Sequence, residues 1–378
     1  MPELGEVAHM AHLLTRYAKG KIVTAFSIDT ADTIVFPAIV PTAKYVNQTI
    51  TDVGRHGKYF WFALTTNHSA VDIVLMHFGM TGWISFNTDV DSHFFPMERS
   101  VNGKRPETYA DPAKAQWPPK YTKFEVSLGN DLKFAFTDPR RLARVRFIDG
   151  IEGNIEEEAK KLEPLCRTGT DFSKPDRLSE EQFTEILEKR KVPVKALLLD
   201  QAVCTGVGNW MADEILFQAR IHPMQRGNTL SPETKSLLYK CLCEVCELTV
   251  KLEADSSKFP ESWLMTYRWS KRKKSDDRQT TADGYTVDFL TVGGRTSCFV
   301  PELQVYTGDD SLALQSPKSK DASKSKQPKE PKKEQESKKK MNEAQKEKRE
   351  NKRKINEDIK TKDEMIRNGR VTRSRAKR

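Results

Sequence analysis

The chain has 378 residues, 37% of them hydrophobic, and a formal net charge of +10. No stretch reaches the roughly 18 consecutive apolar residues of a membrane span, and acids precede any apolar run at the N-terminus, so the opening is not expected to be a secretory leader. Six cysteines, at 166, 204, 241, 243, 246 and 298, show no framework spacing, so a disulfide scaffold is excluded and a reducing compartment is expected. The charge is lopsided: from Ser311 onward there are 24 Lys and Arg against 11 Asp and Glu, so the tail carries +13 and everything before it −3. A folded part that met nucleic acid would therefore have to do so through local clusters.

The opening, MPELGEVAHM, sets two carboxylates three residues apart behind a proline. Proline at position 2 is small enough for Met1 to be trimmed, which would expose a secondary amine of unperturbed pKa about 7.7–8.0. Such an amine is partly neutral, and so nucleophilic, near neutral pH; the plainer reading makes Pro2 a helix starter. Leu4, Val7, Ala11, Leu14 and Ala18 form an apolar stripe at helical spacing, predicting a helix to about Lys19 that stops at Gly20. Next come KIVTAFSI, YFWFAL, VDIVLMHF, FEVSL, LKFAFTD and RVRFI. These β-branched and aromatic runs between Gly, Asn and Asp turns predict the strands of a β-sandwich. A polar, proline-rich insertion from about Asn87 to Lys120 reads as a loop.

After Gly150 the pattern turns helical: EEEAKKLEPL, SEEQFTEILEKRK, PVKALLLDQAV, NWMADEILFQARI and SPETKSLLYKCLCEVCELTVKLE, with SEEQ and SPET as N-terminal caps. Strand character returns in TVDFL, TVGGRT and SCFVPEL, where Gly293-Gly294 marks a hairpin turn. Beyond about Thr307 the chain is rich in Lys, Glu and Ser and poor in aromatics, so it is expected to be disordered. In LLLDQAVCTGVGNWMADEILF a helix ending near Asp200 is followed by a Gly-x-Gly turn, and Asn209 is expected to cap a second helix from Trp210. Backbone N–H groups left free at that helix start would hold a phosphate.

This stretch resembles the helix–two-turn–helix motif of the formamidopyrimidine-DNA glycosylase family. So, in the family's order, do the opening PEL-E, GRHGKYFWF, VLMHFGMTG, DPRRLARVR and GGRTSCFVPELQ, over about residues 1–306. The resemblance implies an α+β fold: an N-terminal helix with a two-layer β-sandwich (1–150), a helical helix–two-turn–helix domain (151–270), a zincless finger hairpin (271–307) and a disordered basic tail (308–378).

Residue by residue, the resemblance makes Pro2 the nucleophile that attacks C1′ of the damaged nucleoside. A secondary amine gives a cationic iminium, an electron sink that drives elimination without an added proton. Glu3 matches the acid that protonates the deoxyribose ring oxygen. Glu6, one helical turn on, would help keep one of the two carboxyls protonated, or else simply favour the helix N-terminus. Lys58 matches the lysine on the lesion-bearing strand, and His77, Asn209 and Arg295 match phosphate-binding positions that set the backbone's place; for His77 a satisfied core histidine is the alternative. The hole left by an extruded nucleotide must be filled. The family uses a Met, an Arg and a Phe for this; here Met80 and Arg140 match and Leu142 replaces the Phe, so altered probing of the opposite base is expected.

Other departures matter too. The second Cys pair of the bacterial zinc finger would fall at Val300 and Leu303, and Cys298 alone cannot build a four-ligand site. No metal and no small-molecule cofactor is therefore expected, and CLCEVC reads as structural thiols. Gly5 stands where most members have proline and should loosen the first helix by about 1 kcal/mol relative to Ala; Leu4 favours this branch over endonuclease VIII. The runs KKKMNEAQKEKRENKRK and RVTRSRAKR suggest nuclear targeting or nonspecific nucleic-acid contact. The expectation is a monomeric nuclear enzyme acting on damaged double-stranded DNA, away from membranes, that excises oxidised or ring-opened purines and cuts the strand by β,δ-elimination. The alternatives are an endonuclease VIII-like enzyme for oxidised pyrimidines and a non-catalytic lesion or chromatin binder.

Overall fold

The computed structural model describes residues 2–36, 42–65, 70–88, 116–268 and 279–308. Most of the insertion expected between Asn87 and Lys120, and nearly all of the basic tail, lie outside the described residues. No described helix is long and apolar enough to cross a membrane.

Helix α1 (Leu4–Tyr17) opens the fold, and Gly20 beyond it adopts φ +81°, as a helix stop requires. Its apolar stripe is divided between two cores. Leu4 belongs to the core of the helical part, whereas Val7, Met10, Ala11, Leu14 and Ala18 belong to the sandwich. This split places the residues just before Leu4 at the seam between the two bodies. Gly5 contributes to the same seam: a Cβ there would lie 2.3 Å from Thr249 Cγ2, so the glycine permits a close helix crossing. The expected loosening of α1 is thus replaced by tight packing.

Two four-stranded antiparallel sheets form the sandwich. One has β1 (Val23–Ile28), β6 (Thr122–Leu128), β7 (Lys133–Thr137) and β5 (Trp83–Phe86) in that order; the other has β2 (Ile50–His56), β3 (Tyr59–Thr65), β4 (Ala70–His77) and β8 (Arg144–Glu152). The six predicted runs all become strands. β2 and β5 were not predicted, since ITDVGRH is broken by Asp and Gly and WISF is short. Between the sheets lie Phe60, Phe62, Phe78, Phe124, Phe134 and Phe136, each at most 1% exposed. Each such ring contributes roughly 1.5–3 kcal/mol relative to leaving it in water.

The helical part comprises α2 (Ile155–Lys160), α3 (Glu180–Lys189), α4 (Val194–Leu199), α5 (Asn209–Gln218) and α6 (Pro232–Lys251). Ser179 caps α3 in a capping box with Gln182, and Ser231 caps α6 through the Thr234 N–H. The run EEEAKKLEPL stops being α-helical at Lys160, because the residue before Pro164 is disfavoured in the α region. Cys241, Cys243 and Cys246 are buried in the helical core. Strands β9 (Asp288–Val292) and β10 (Arg295–Phe299) form the hairpin, with Gly293 and Gly294 both at positive φ in the turn.

Candidate active site and nucleic-acid interface

The α1 start is built from its own acids. Glu3 is the N-cap, in extended conformation, and its N–H donates to Glu6 Oε2 at 2.9 Å within a capping box. The helix proper begins at Leu4, so Pro2 precedes the first turn and is buried there rather than serving as a helix starter. Leu4 N–H donates to Gly206 O at 3.1 Å, which ties the strand entering α1 to the Gly-x-Gly turn.

Glu3 has a second task that its sequence position does not suggest. Its carboxylate accepts the N–H groups of Trp210 (3.1 Å) and Met211 (3.2 Å), the free donors of the α5 N-terminus. One expectation is corrected here: Gly208, not Asn209, is the N-cap of α5. Three of the N–H groups at this turn are moreover already bonded within the protein. Glu3 takes two of them, and Gln201 Oε1 accepts the Gly206 N–H at 3.1 Å. Gly208 is needed for close approach: a Cβ there would sit 2.0 Å from Glu3 Cδ. Asn209, released from capping, donates its side-chain amide to Thr296 O on β10 at 2.9 Å.

Burial lifts Glu3 above the usual carboxylate range, against the opposing pull of Lys58 and of the two α5 N–H groups. Glu6 is also buried, and burial together with the neighbouring Glu3 brings it to about 7. Near neutral pH the pair therefore holds a proton next to Pro2. Lys58, at the β3 start, donates to Val207 O at 2.9 Å. Burial lowers its ammonium to about 8, with Glu3 opposing and Arg295 reinforcing the shift. Asp171 secures the turn before Lys58: it accepts the Gly57 N–H at 3.0 Å and pairs with Arg55. Sequence reasoning missed Asp171, because it lies far along the chain in a connecting segment.

His77 packs against Tyr59 with ring centroids 4.7 Å apart and the planes tilted by 43°, and its Nδ1 accepts the Gly79 N–H at 3.0 Å. Burial, helped by Lys58 and Arg144, brings its pKa down to about 4. The ring is thus neutral at pH 7, with Nδ1 an acceptor and Nε2–H the remaining donor.

Met80, Arg140 and Leu142 are all exposed at the tips of two loops, Met80 at 37% and Leu142 at 40%. Asp138, fully buried, joins the loops. It accepts the N–H groups of Arg140 (3.1 Å), Leu142 (2.7 Å) and Ala143 (2.7 Å) and the hydroxyl of Thr81 (2.6 Å). Gly79 adopts φ +61°, and a Cβ there would strike the Leu142 carbonyl at 2.4 Å, so the loops lie against each other. Arg141 turns back onto Asp32, leaving Arg140 and Leu142 to project. Asp138 also escaped the sequence reading, although Asp followed by Pro before an exposed turn is the local pattern that could have found it.

Arg295 is exposed beside the hairpin turn. Beneath it, Asp213 accepts the Cys298 N–H at 2.9 Å and pairs with the buried Lys195 and with Arg268. Cys298, Val300 and Leu303 pack with Phe217, Leu264 and Val287. Among the described residues no group of three or more His, Cys, Asp or Glu could hold a metal ion.

The structure thus brings Lys58 to the Glu3–Glu6 pair that follows Pro2. His77 and the Met80, Arg140 and Leu142 tips lie further along the sandwich, and Asn209 reaches the hairpin at Thr296, next to Arg295. The chain matches the model of the formamidopyrimidine-DNA glycosylase N-terminal domain over residues 1–145 and that of the H2TH domain of the same glycosylase over 171–261. It is 34% identical to formamidopyrimidine-DNA glycosylase of Arabidopsis thaliana over 337 residues, covering 87% of this chain and 77% of that protein. With the enzyme of the same name from Latilactobacillus sakei it shares 32% over 252 residues, or 66% and 77% of the two chains. MutM in complex with carbocyclic 8-oxo-G containing DNA superposes with a TM-score of 0.61 at 20% identity, covering 81% of this chain and all of that one. Lactococcus lactis Fpg with FAPY-dG containing DNA gives 0.59 at 20% identity, over 80% and 100%.

Proposed function

Since the chain belongs to the formamidopyrimidine-DNA glycosylase family, we propose that it is a bifunctional DNA glycosylase and AP lyase that removes oxidised or ring-opened purines from duplex DNA. The observation that carries the reading is the Glu3 carboxylate. It closes the start of α5, while the backbone N–H of Glu3, next to Pro2, is held by the second buried acid, Glu6.

With Met1 removed, the Pro2 amine attacks C1′ of the extruded nucleoside; the bond to the damaged base breaks, and the base leaves with that electron pair and takes up, through solvent, the proton that the amine nitrogen gives up. A proton from the Glu3–Glu6 pair goes to the ring oxygen as the sugar opens, leaving a cationic iminium on Pro2. Loss of a C2′ proton then expels the 3′ phosphate, and a second elimination expels the 5′ phosphate. Lys58, the neutral His77, Asn209 and Arg295 hold the backbone of the lesion-bearing strand, which is positioning and carries no sequence information. Met80, Arg140 and Leu142 fill the hole left by the flipped nucleotide. The basic tail takes the protein to the nucleus and adds salt-dependent affinity for DNA.

Borohydride trapping on a duplex with one ring-opened purine or one abasic site tests this. A covalent complex with the DNA attached at the Pro2 nitrogen, located by peptide mapping, is expected, with slower release from thymine glycol than from the ring-opened purine. Attachment at any other amine overturns the nucleophile, and the reverse substrate order overturns the purine assignment. Intact mass of the purified chain establishes whether Met1 is absent, and imaging of a variant lacking residues 308–378 tests the nuclear address.

A further inference from the structure

Strand β8 carries two arginines for which the proposed chemistry has no use. Arg144 is the cross-strand partner of His77, and Arg146 that of Leu75 two residues further along. They lie on the same face of the sheet, because side chains alternate along a strand. β8 is the edge strand of its sheet, and both arginines are exposed. Tyr59 flanks His77 on its other side in the same row.

The face is cationic. Among the described residues neither Arg144 nor Arg146 forms an ion pair; the recorded bond from the Arg144 guanidinium goes to its own neighbour's carbonyl, Ala143 O, at 2.7 Å. Glu163 is the carboxylate that reaches this row, and it is held by Arg167 at 2.6 Å. His77 faces Lys58 and Arg144 without an acid between them, and its ring presents a neutral N–H donor. Two unpaired guanidiniums in line with such a donor form a bidentate-capable row suited to phosphate oxygens.

Resting on the DNA-binding reading above, we propose that Arg144 and Arg146 form a further backbone-phosphate site. It extends the contact with DNA from His77 along the β8 edge and holds a phosphate of the duplex arm beyond the lesion. The row reads no base; it lengthens the footprint on one side. The ligand is the phosphodiester of duplex DNA, and an acidic protein partner is the competing occupant.

The test is fluorescence anisotropy of the full chain on a duplex containing a stable abasic analogue, titrated with salt. Each lost phosphate contact lowers the slope of log K against log salt by about 0.9. Arg146→Ala should therefore lower it by about 0.9 and the double variant Arg144→Ala/Arg146→Ala by about 1.8, while Arg146→Lys keeps most of it. Shortening the duplex arm on one side of the lesion should abolish the difference between wild type and double variant; shortening the other should not. Melting curves matching wild type confirm that these exposed positions leave the fold intact. Equal slopes in all three proteins, or a difference that ignores arm length, overturn the site. Wild type that binds and traps with unaltered variant slopes sinks this proposal alone, whereas wild type that neither binds nor traps sinks the parent reading with it.

Discussion

Two buried carboxylates, Glu3 and Asp138, do the same thing to the backbone and serve opposite ends. Asp138 accepts three N–H groups and a hydroxyl from the two loops that carry Met80, Arg140 and Leu142. Every one of its partners is a short-range neighbour or lies on the adjoining loop, and its work is to hold exposed tips together. Glu3 accepts two N–H groups from a helix 207 residues away, and its own N–H is held by a second acid. That arrangement leaves it beside a second buried acid and next to the proposed nucleophile. A carboxylate saturated by local donors is scaffolding; one that bridges distant segments and keeps an acid neighbour can also move a proton.

The sharpest way to break this contrast is to disturb Glu3 without touching a charge. Gly208→Ala puts a Cβ where Glu3 Cδ lies, and excision should fall by on the order of 100-fold, as should Glu3→Gln. Single-turnover release of a ring-opened purine measures both, and a Gly208→Ala enzyme with wild-type rate would falsify the bridging role. Next comes pH. Glu6 is raised in the folded protein from 4.5 to about 7, so the folded state binds its proton more tightly than the unfolded chain does. The stability this contributes is full below about pH 4.5 and is lost as pH rises through about 7, by up to about 3 kcal/mol. Glu6→Gln should shrink the fall in melting temperature between pH 5 and pH 8, with Glu3 and Glu214, both raised by burial, the latter to about 7, still contributing to it.

On the scaffolding side, Asp138→Ala leaves the buried Ala143 N–H without its acceptor, and about 2 kcal/mol of stability should be lost. Base extrusion, followed by a fluorescent base analogue opposite the lesion, should slow as well, and an unchanged extrusion rate would mean that the loop tips hold their shape without it. The smallest effect belongs to Leu142→Phe. Stacking of an aromatic ring on a base adds about 1 kcal/mol, or roughly fivefold in affinity for an abasic duplex; no gain would show that this tip does not enter the stack.

Much of the fold was legible because it is written in local pattern. The stripe from Leu4 to Ala18, the caps at Ser179 and Ser231 and the Gly293-Gly294 turn are each decided by residues within a few positions. β2 escaped because its apolar alternation is broken by Asp52 and Gly54. The candidate site was legible only as far as motif resemblance carried it, and that route named Pro2, Glu3 and Lys58 without saying what holds them. Glu3 on α5 and Asp171 beneath Gly57 act through long-range bonds, which leave no period in a sequence. Asn209 was assigned a cap from its residue type, whereas a carboxylate arriving from the other end of the chain had the stronger claim to those donors.

The closure of α5 by Glu3 has a consequence for how the protein is made. The proposed reactive amine leaves the ribosome first, and the N–H groups that seat its neighbour come from residues 210 and 211. Until those are synthesised and folded, the nascent chain holds a nucleophile with no pocket around it. The proposed reactivity toward DNA is thereby deferred until at least the first 211 of the 378 residues have been made and folded.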